Sequence, residues 1–380
     1  MGKWTRRGFI TAGVVAGGGL LIGVAIRPGN RSTELAKYLA RDGESFLHTW
    51  VKLDQNNIVT AIVPHSEMGQ GVGTALAQML AEELDADWSL VKYEEAPAVR
   101  EFANYPIIKG MFVGNTNVPD FVVPTIDGAL IRTAKALDLQ ITGGSSSIRM
   151  TGEFGMRVAG AAVKEMLRDA AATKWQVPVD EIRTENSHLI HVKSGRQIPY
   201  SDVAQAVSNM VPPASPKLKS ADDFKIIGKS VARFDLPSKV DGTALFAIDV
   251  KLPDMLYATV QRAPSFTGQI ETITDELSRS IKGVVDIVRL PSTTVSSALG
   301  SFSFADSVAV VADSFWTAKK GMDLLDVRWE STKHSQVSSN VIFNQFERDI
   351  DEALEREIDV SEGDTAGSLM DADIVIEADY

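Results

Sequence analysis

Cysteine is absent from the 380 residues. That excludes disulfides, thiolate zinc sites, a cysteine nucleophile and any iron–sulfur cluster held by this chain itself. Histidine is scarce as well. Only His48, His65, His188, His191 and His334 could serve as a base, and no G-x-S-x-G elbow accompanies them, so serine hydrolysis has no support. Basic charge is in deficit: 38 Lys and Arg stand against 50 Asp and Glu, a formal net charge of −12. With no basic stripe, that balance argues against a nucleic-acid backbone as the main partner. What remains is 44% hydrophobic and 23% charged, the composition of a mostly soluble globular chain long enough for two or three domains. Any electron-transfer role would need a second subunit.

The first 31 residues are compositionally a different object. They carry Lys3, Arg6, Arg7, Arg27 and Arg31 and no acid. Thr5-Arg6-Arg7-Gly8-Phe9-Ile10 resembles the twin-arginine export motif, and an uncharged, glycine-rich run from Gly8 to Ile26 follows it. As a helix that run would span about 28 Å, close to a bilayer core, although its glycines make it a poor stable span. Gly23 and Ala25 suit a weak cleavage site after Ala25. The expectation is a periplasmic protein whose membrane contact, if any, is confined to this segment. Twin-arginine export carries folded proteins, commonly with a cofactor already bound.

Farther on, His48–Leu53 and Ile58–Val63 read as a hairpin across Asp54-Gln55-Asn56-Asn57. Leu76, Met79, Leu80 and Leu84 predict an amphipathic helix from Thr74, and Leu90–Tyr93 a short strand. Glu95–Pro124, broken by Gly110, Gly114 and Pro119, reads as a long ordered loop. Val163, Met166, Leu167 and Ala170 mark a second helix from Ala159, and two strands flank Lys193–Arg196. Three prolines between Val211 and Pro216 suggest a linker over 211–223. A second domain is expected from 224 to 335, with strands at Ala244–Val250, Met255–Gln261 and Val308–Ala312 and a helix through Trp316–Leu325. It should fold most independently, since its β-like runs are contained in sequence. Residues 336–380 end in a strand-like Ile374–Ala378, as if the chain were cut from a longer one. The fold class is α+β.

Two segments suit a phosphate. Glu67-Met68-Gly69-Gln70-Gly71-Val72-Gly73-Thr74 lies between a strand and a helix, where alternate glycines can gather backbone N–H groups beside the positive end of the helix. Gly69, Gln70, Gly71, Val72, Gly73 and Thr74 are therefore candidate cofactor-binding residues. A dinucleotide fingerprint is the rival reading, but G-x-G-x-G spacing, with Thr74 where the last glycine should be, argues against it. A glycine turn without a ligand stays open. Thr142-Gly143-Gly144-Ser145-Ser146-Ser147 also precedes a helix, and Gly143, Gly144, Ser145, Ser146 and Ser147 join the candidates because their hydroxyls and backbone suit phosphate or a polar heterocycle. His188 and His191 tempt a metal reading, yet three residues apart on a strand they face opposite sides. Acids from Glu347 to Glu362 lack the spacing of a calcium loop and read as a solvated helix face.

Together these segments resemble the large, molybdopterin-binding subunit of the xanthine dehydrogenase and aldehyde oxidoreductase family, especially isoquinoline 1-oxidoreductase beta subunits and periplasmic aldehyde dehydrogenases. Glu67–Gly71 with Thr74 and Ala81-Glu82-Glu83-Leu84 is similar to the first cofactor loop and helix of that family, and Thr142–Ser147 to the second. Gly228–Asp249, including Arg233-Phe234-Asp235-Leu236-Pro237, is similar to the start of its α/β hammerhead domain, and Ala309–Asp313 with Trp316 and Trp329 to the end. The resemblance implies a molybdopterin domain segment over 32–210, the hammerhead over 224–335, and the start of a second molybdopterin region over 336–380. It implies a molybdopterin cytosine dinucleotide whose molybdenum is held by pterin sulfurs, with no protein metal ligand. It implies oxidation of an N-heterocycle or aldehyde with water-derived oxygen. Electrons would leave to a small iron–sulfur subunit, with a cytochrome c as a further acceptor. The catalytic glutamate of the family is expected beyond Tyr380, so no glutamate here is assigned that role. A different class of protein, an exported non-catalytic anion-binding or interaction module, is the alternative.

Overall fold

A computed structural model describes residues 29–140, 144–297, 300–332, 335–353 and 362–378. Residues 1–28 of the segment read as an export signal, together with Thr142, Gly143 and the acids Glu355 and Glu357, lie outside the described residues. The chain divides into two compact units at Ala244/Leu245.

In the first unit α1 (Ser32–Leu39) precedes β1 (Ser45–His48), β2 (Val51–Leu53) and β3 (Val59–Val63), then α2 (Val72–Leu84) and β4 (Val91–Glu95). β1, β2 and β3 run antiparallel, and β4 joins β3 in parallel. Only a crossover can bring a parallel neighbour alongside, and α2 provides it. β3 is therefore central and buried along its whole length, as its Val-Thr-Ala-Ile-Val sequence requires. The expected hairpin is β2–β3, but His48 closes β1 instead of opening β2.

Glu95–Pro124 is not one long loop. It holds α3 (Tyr105–Phe112) and leads into α4 (Val123–Ala136). Neither Pro106 nor Gly110 interrupts α3: Pro106 sits in the first turn, where its missing N–H costs nothing, and Gly110 makes room for the Met150 side chain. α5 (Ser145–Thr151), a π turn (Gly152–Met156) and α6 (Arg157–Trp175) then form one continuous helical run. α6 lies against α2 so closely that a Cβ on Gly160 would stand 2.4 Å from the Leu80 carbonyl oxygen. The antiparallel sheet of β5 (Ile182–Glu185), β6 (His188–His191) and β7 (Gln197–Pro199) and the short α7 (Ala204–Ser208) complete the layer.

The boundary differs from the one read in the sequence. Residues 211–244, including α8 (Leu236–Asp241), belong to the first unit. Two buried carboxylates of α2 hold them there. Glu82 accepts N–H bonds from Lys225 (2.7 Å), Ile226 (2.6 Å) and Ile227 (3.1 Å) and pairs with Lys219 at 2.6 Å. Glu83 accepts from Lys219 N (2.9 Å) and pairs with Arg157 at 2.7 Å. A proline-rich segment with no periodicity is thus ordered by charge-assisted bonds rather than by its own secondary structure.

The second unit contains β8 (Tyr257–Arg262), β9 (Ile270–Thr274), α9 (Glu276–Arg279), β10 (Val284–Leu290), β11 (Thr293–Ser297), β12 (Gly300–Phe304) and β13 (Ser307–Ala312). After these come α10 (Phe315–Asp323), β14 (Asp326–Trp329), α11 (Ser339–Ala353) and α12 (Thr365–Met370). β13 is flanked by β10 and β8, β14 pairs with β9, and β11–β12 is a hairpin, all antiparallel. The α+β composition holds. Two expected strands do not form: Ala244–Val250 contains a 3-10 turn at Ala247–Asp249, and 374–378 has no regular structure. Apolar alternation is present in both, but among the described residues no strand pairs with either.

Candidate functional site

The loop between β3 and α2 is built around a glutamate. Glu67 turns its carboxylate back into the loop: Oε1 accepts the N–H groups of Gly69 (2.9 Å) and Gly71 (3.0 Å), and Oε2 that of Gly73 (3.3 Å). Gly71, the residue before the helix, takes φ 79°, a left-handed conformation that glycine adopts without strain. Gly73 is glycine for a different reason. A Cβ there would lie 2.5 Å from the Tyr93 ring. Burial pushes the Glu67 carboxyl up, but the N–H groups of Gly71, Gly73 and Gly69 outweigh it and hold the pKa below the ordinary glutamate value. So the glycine loop does gather backbone donors for an anion, and the anion it holds is its own carboxylate.

A second segment, 164 residues away, closes the loop. Arg233 donates to the Gly69 carbonyl (2.9 Å) and to Glu67 (3.2 Å). Asp235 holds the guanidinium from the other side, at 2.7 and 3.0 Å. That contact, reinforced by Lys239, depresses the Asp235 pKa despite some burial. The Phe234 N–H donates to Thr74 Oγ1 (3.1 Å), and its ring rests on Trp88 and Tyr93 with centroids 5.0 and 5.9 Å apart. Glu95 accepts the Glu67 N–H at 2.9 Å. The lip of the loop therefore carries the carboxylates of Glu67, Glu95 and Asp235 beside the cations of Arg233 and Lys239.

Gln70 braces the loop rather than pointing away from it: its Oε1 accepts the Met68 N–H (2.6 Å) and its Nε2 donates to the Ser66 carbonyl (2.9 Å). Val72 and Thr74 lie in the first turn of α2, where backbone N–H groups have no helical partner.

In the second loop Gly144 takes φ 81° and Ser145 and Ser146 are exposed at the start of α5. Ser147 is buried, and its hydroxyl donates to the Gly144 carbonyl at 2.9 Å. The two loops are tied at their bases. His65, just ahead of Glu67, meets Thr151 at the end of α5 (2.8 Å), and Asn104 donates to the same hydroxyl (2.9 Å), all three buried. The helices that follow the loops also touch, with Gly152 of the π turn seated on Met79 of α2.

Sequence reasoning brought out the glycines but not Arg233 and Phe234 as loop partners. No local pattern signals a contact across that separation. His188 and His191 form no metal site; among the described residues no group of three or more His, Asp or Glu is placed to hold an ion. His191 is buried, and bridges Glu181 (2.8 Å) and Ser194 (2.6 Å) to brace the hairpin. No helix among the described residues is long and apolar enough to cross a membrane.

No family model matches the chain. Individual proteins do. It is 27% identical over 334 residues to isoquinoline 1-oxidoreductase subunit beta of Brevundimonas diminuta, covering 79% of this chain and 37% of that one. The relatives that it matches are oxidoreductases or subunits of them. A membrane-bound aldehyde dehydrogenase of Gluconacetobacter polyoxogenes, named for pyrroloquinoline quinone, is 29% identical over 336 residues, 86% of this chain and 37% of its own. The nicotinate dehydrogenase large molybdopterin subunit of Eubacterium barkeri is 40% identical over 62 residues, 16% of this chain and 15% of that one. The chain thus spans little more than a third of the length of the first two relatives.

Proposed function

We propose that this chain is part of the cofactor-binding subunit of a molybdenum hydroxylase, with the loop Gly69–Thr74 and the segment Gly143–Ser147 cradling the phosphates of a molybdopterin cytosine dinucleotide. The observation that carries the reading is the first loop, whose N–H groups at Gly69, Gly71 and Gly73 already bind an anion. The free amides in the first turn of α2 add a favourable dipole end. Bound there, the cofactor would supply oxidation of an electron-poor carbon with oxygen from water. This chain's own residues bind and orient: Gly71 lets the backbone approach, and Arg233 places a cation at the lip. His65, Thr151 and Asn104 fix the two loops in register. The substrate class is an N-heterocycle or an aldehyde. A separate iron–sulfur subunit takes the electrons, and the twin-arginine segment at the N-terminus sends the folded protein to the periplasm.

Metal and cofactor analysis of the full gene product, purified with its partner, tests this. Molybdenum and a pterin dinucleotide are expected. A folded, active preparation with neither would overturn the reading, and a quinone in their place would move it to the cofactor named for the Gluconacetobacter relative. Gly71→Val should lower molybdenum occupancy more than thermal stability, because its side chain would strain the left-handed residue and crowd the phosphate approach.

A further inference from the structure

The occupied loop poses a physical problem for any phosphate. The three glycine N–H groups are fully engaged by Glu67, whose side chain is only 7% exposed. A phosphate placed on the remaining amides of the loop would stand next to a buried carboxylate, and like charges at such range in a partly desolvated site repel strongly. Glu95 and Asp235 add to that repulsion. The loop also contains the means of relieving it. Arg233 already touches Glu67 Oε1 at 3.2 Å while donating to the Gly69 carbonyl, so its guanidinium can receive the carboxylate if the glycine N–H groups are taken by another anion.

Resting on the phosphate reading above, we propose that the Glu67 carboxylate is an internal occupant of the glycine loop, which a phosphate group must displace onto Arg233 before it can bind. Glu67 and Arg233 are then positioning residues that close the empty loop and set the threshold for filling it. The exchange is one carboxylate for one phosphate at the same donors, with no bond made or broken. Oriented backbone donors are kept ready in the absence of ligand, at the cost of competition when the ligand arrives.

The test uses the 380-residue chain and inorganic pyrophosphate as the probe, titrated by calorimetry and by the amide resonances of Gly69, Gly71 and Gly73. Glu67→Gln removes the charge and should tighten pyrophosphate binding about tenfold over the parent. Glu67→Asp keeps the charge but is too short to reach all three amides, and should also tighten it, which decides the matter if Glu67→Gln does not fold. Arg233→Gln should weaken binding several-fold, with Arg233→Lys restoring part of it. If the parent binds and both Glu67 variants bind equally or less well, Glu67 is a permanent brace; the displacement idea is then wrong while the phosphate reading stands. If neither the parent nor either variant shifts the three glycine resonances, the phosphate reading itself fails and the displacement with it.

Discussion

The first unit closes one apolar cluster running from Leu35 to Val207, with Trp50, Leu76, Leu80 and Tyr200 inaccessible to solvent. The second buries Ile270, Val308, Val310 and Leu325 and leaves Leu245, Ile248, Phe266, Phe302 and Phe304 exposed. The contrast extends to charge. Lys52, Glu82 and Glu83 are fully buried in the first unit, each with ionic partners outside its own strand or helix. In the second, Asp306 plays that part on a smaller scale, accepting from Ile270 N (3.0 Å), Ser292 N (2.6 Å) and the half-exposed Arg289 (2.8 Å). Buried ions in the first unit substitute for secondary structure in holding irregular chain, so that unit stands or falls with a few carboxylates. The β-sheets of the second unit depend on backbone pairing with little apolar cover.

The largest test of this contrast is Glu82→Ala. It strands three backbone N–H groups and leaves Lys219 only Asp85 as a carboxylate partner, and should cost about 3–5 kcal/mol in the first unit. Asp306→Ala should cost the second unit about 2 kcal/mol, because Arg289 can turn to water. Hydrogen exchange resolved by residue, under denaturant, reads the two separately; equal losses would break the comparison.

Limited proteolysis follows. The β-like runs of 224–335 suggest an independently resistant fragment there, but the buried core predicts the reverse, with residues from about 29 to 244 outlasting the rest. A dominant fragment starting near 224 would show that exposure in the second unit does not translate into lability.

Acid should separate the units more gently. Burial, and then Arg31, lowers the His48 pKa from 6.5 to about 4, so below pH 6.5 the unfolded chain takes up a proton that the fold refuses. The stability of the first unit should therefore decline as pH falls from 6.5 towards 4. The Ile270 N–H, Arg289 and the Ser292 N–H lower the Asp306 pKa from 3.8 to about 2, so its contribution is whole above pH 4 and is lost only as pH falls through 2. Unfolding curves at pH 7, 5 and 3 would expose the order, and His48→Gln should remove the first decline. The smallest effect belongs to Lys319→Ala in α10. Its ion pair with Asp323 is exposed, and the melting temperature should shift by no more than about 0.5 kcal/mol implies.

Sequence pattern foretold what local periodicity encodes. Leu76, Leu80 and Leu84 gave away α2, and Val163, Met166 and Leu167 gave away α6, because a buried helical face leaves a 3.6-residue imprint. Helix α3 escaped because Gly110 read as a breaker, although it sits beneath Met150. The segment 211–223 read as a linker because its order comes from Glu82 and Glu83, far away in sequence. The site divides in the same way: the glycines were legible as loop residues, while the engagement of Glu67 and the closure by Arg233 required three-dimensional placement.

That closure has a consequence for the time course of synthesis. Gly69 leaves the ribosome 164 residues before Arg233. At about 5–20 residues per second, the glycine loop waits roughly 8–33 s for the side chain that closes it. During that interval strand β3 and helix α2 have all the residues they need, yet the loop between them lacks its guanidinium, and Glu82 lacks the amides of residues 225–227. The cradle is thus assembled late on the nascent chain, and a ligand loaded before residue 233 emerges would meet a different, looser site from the one loaded after.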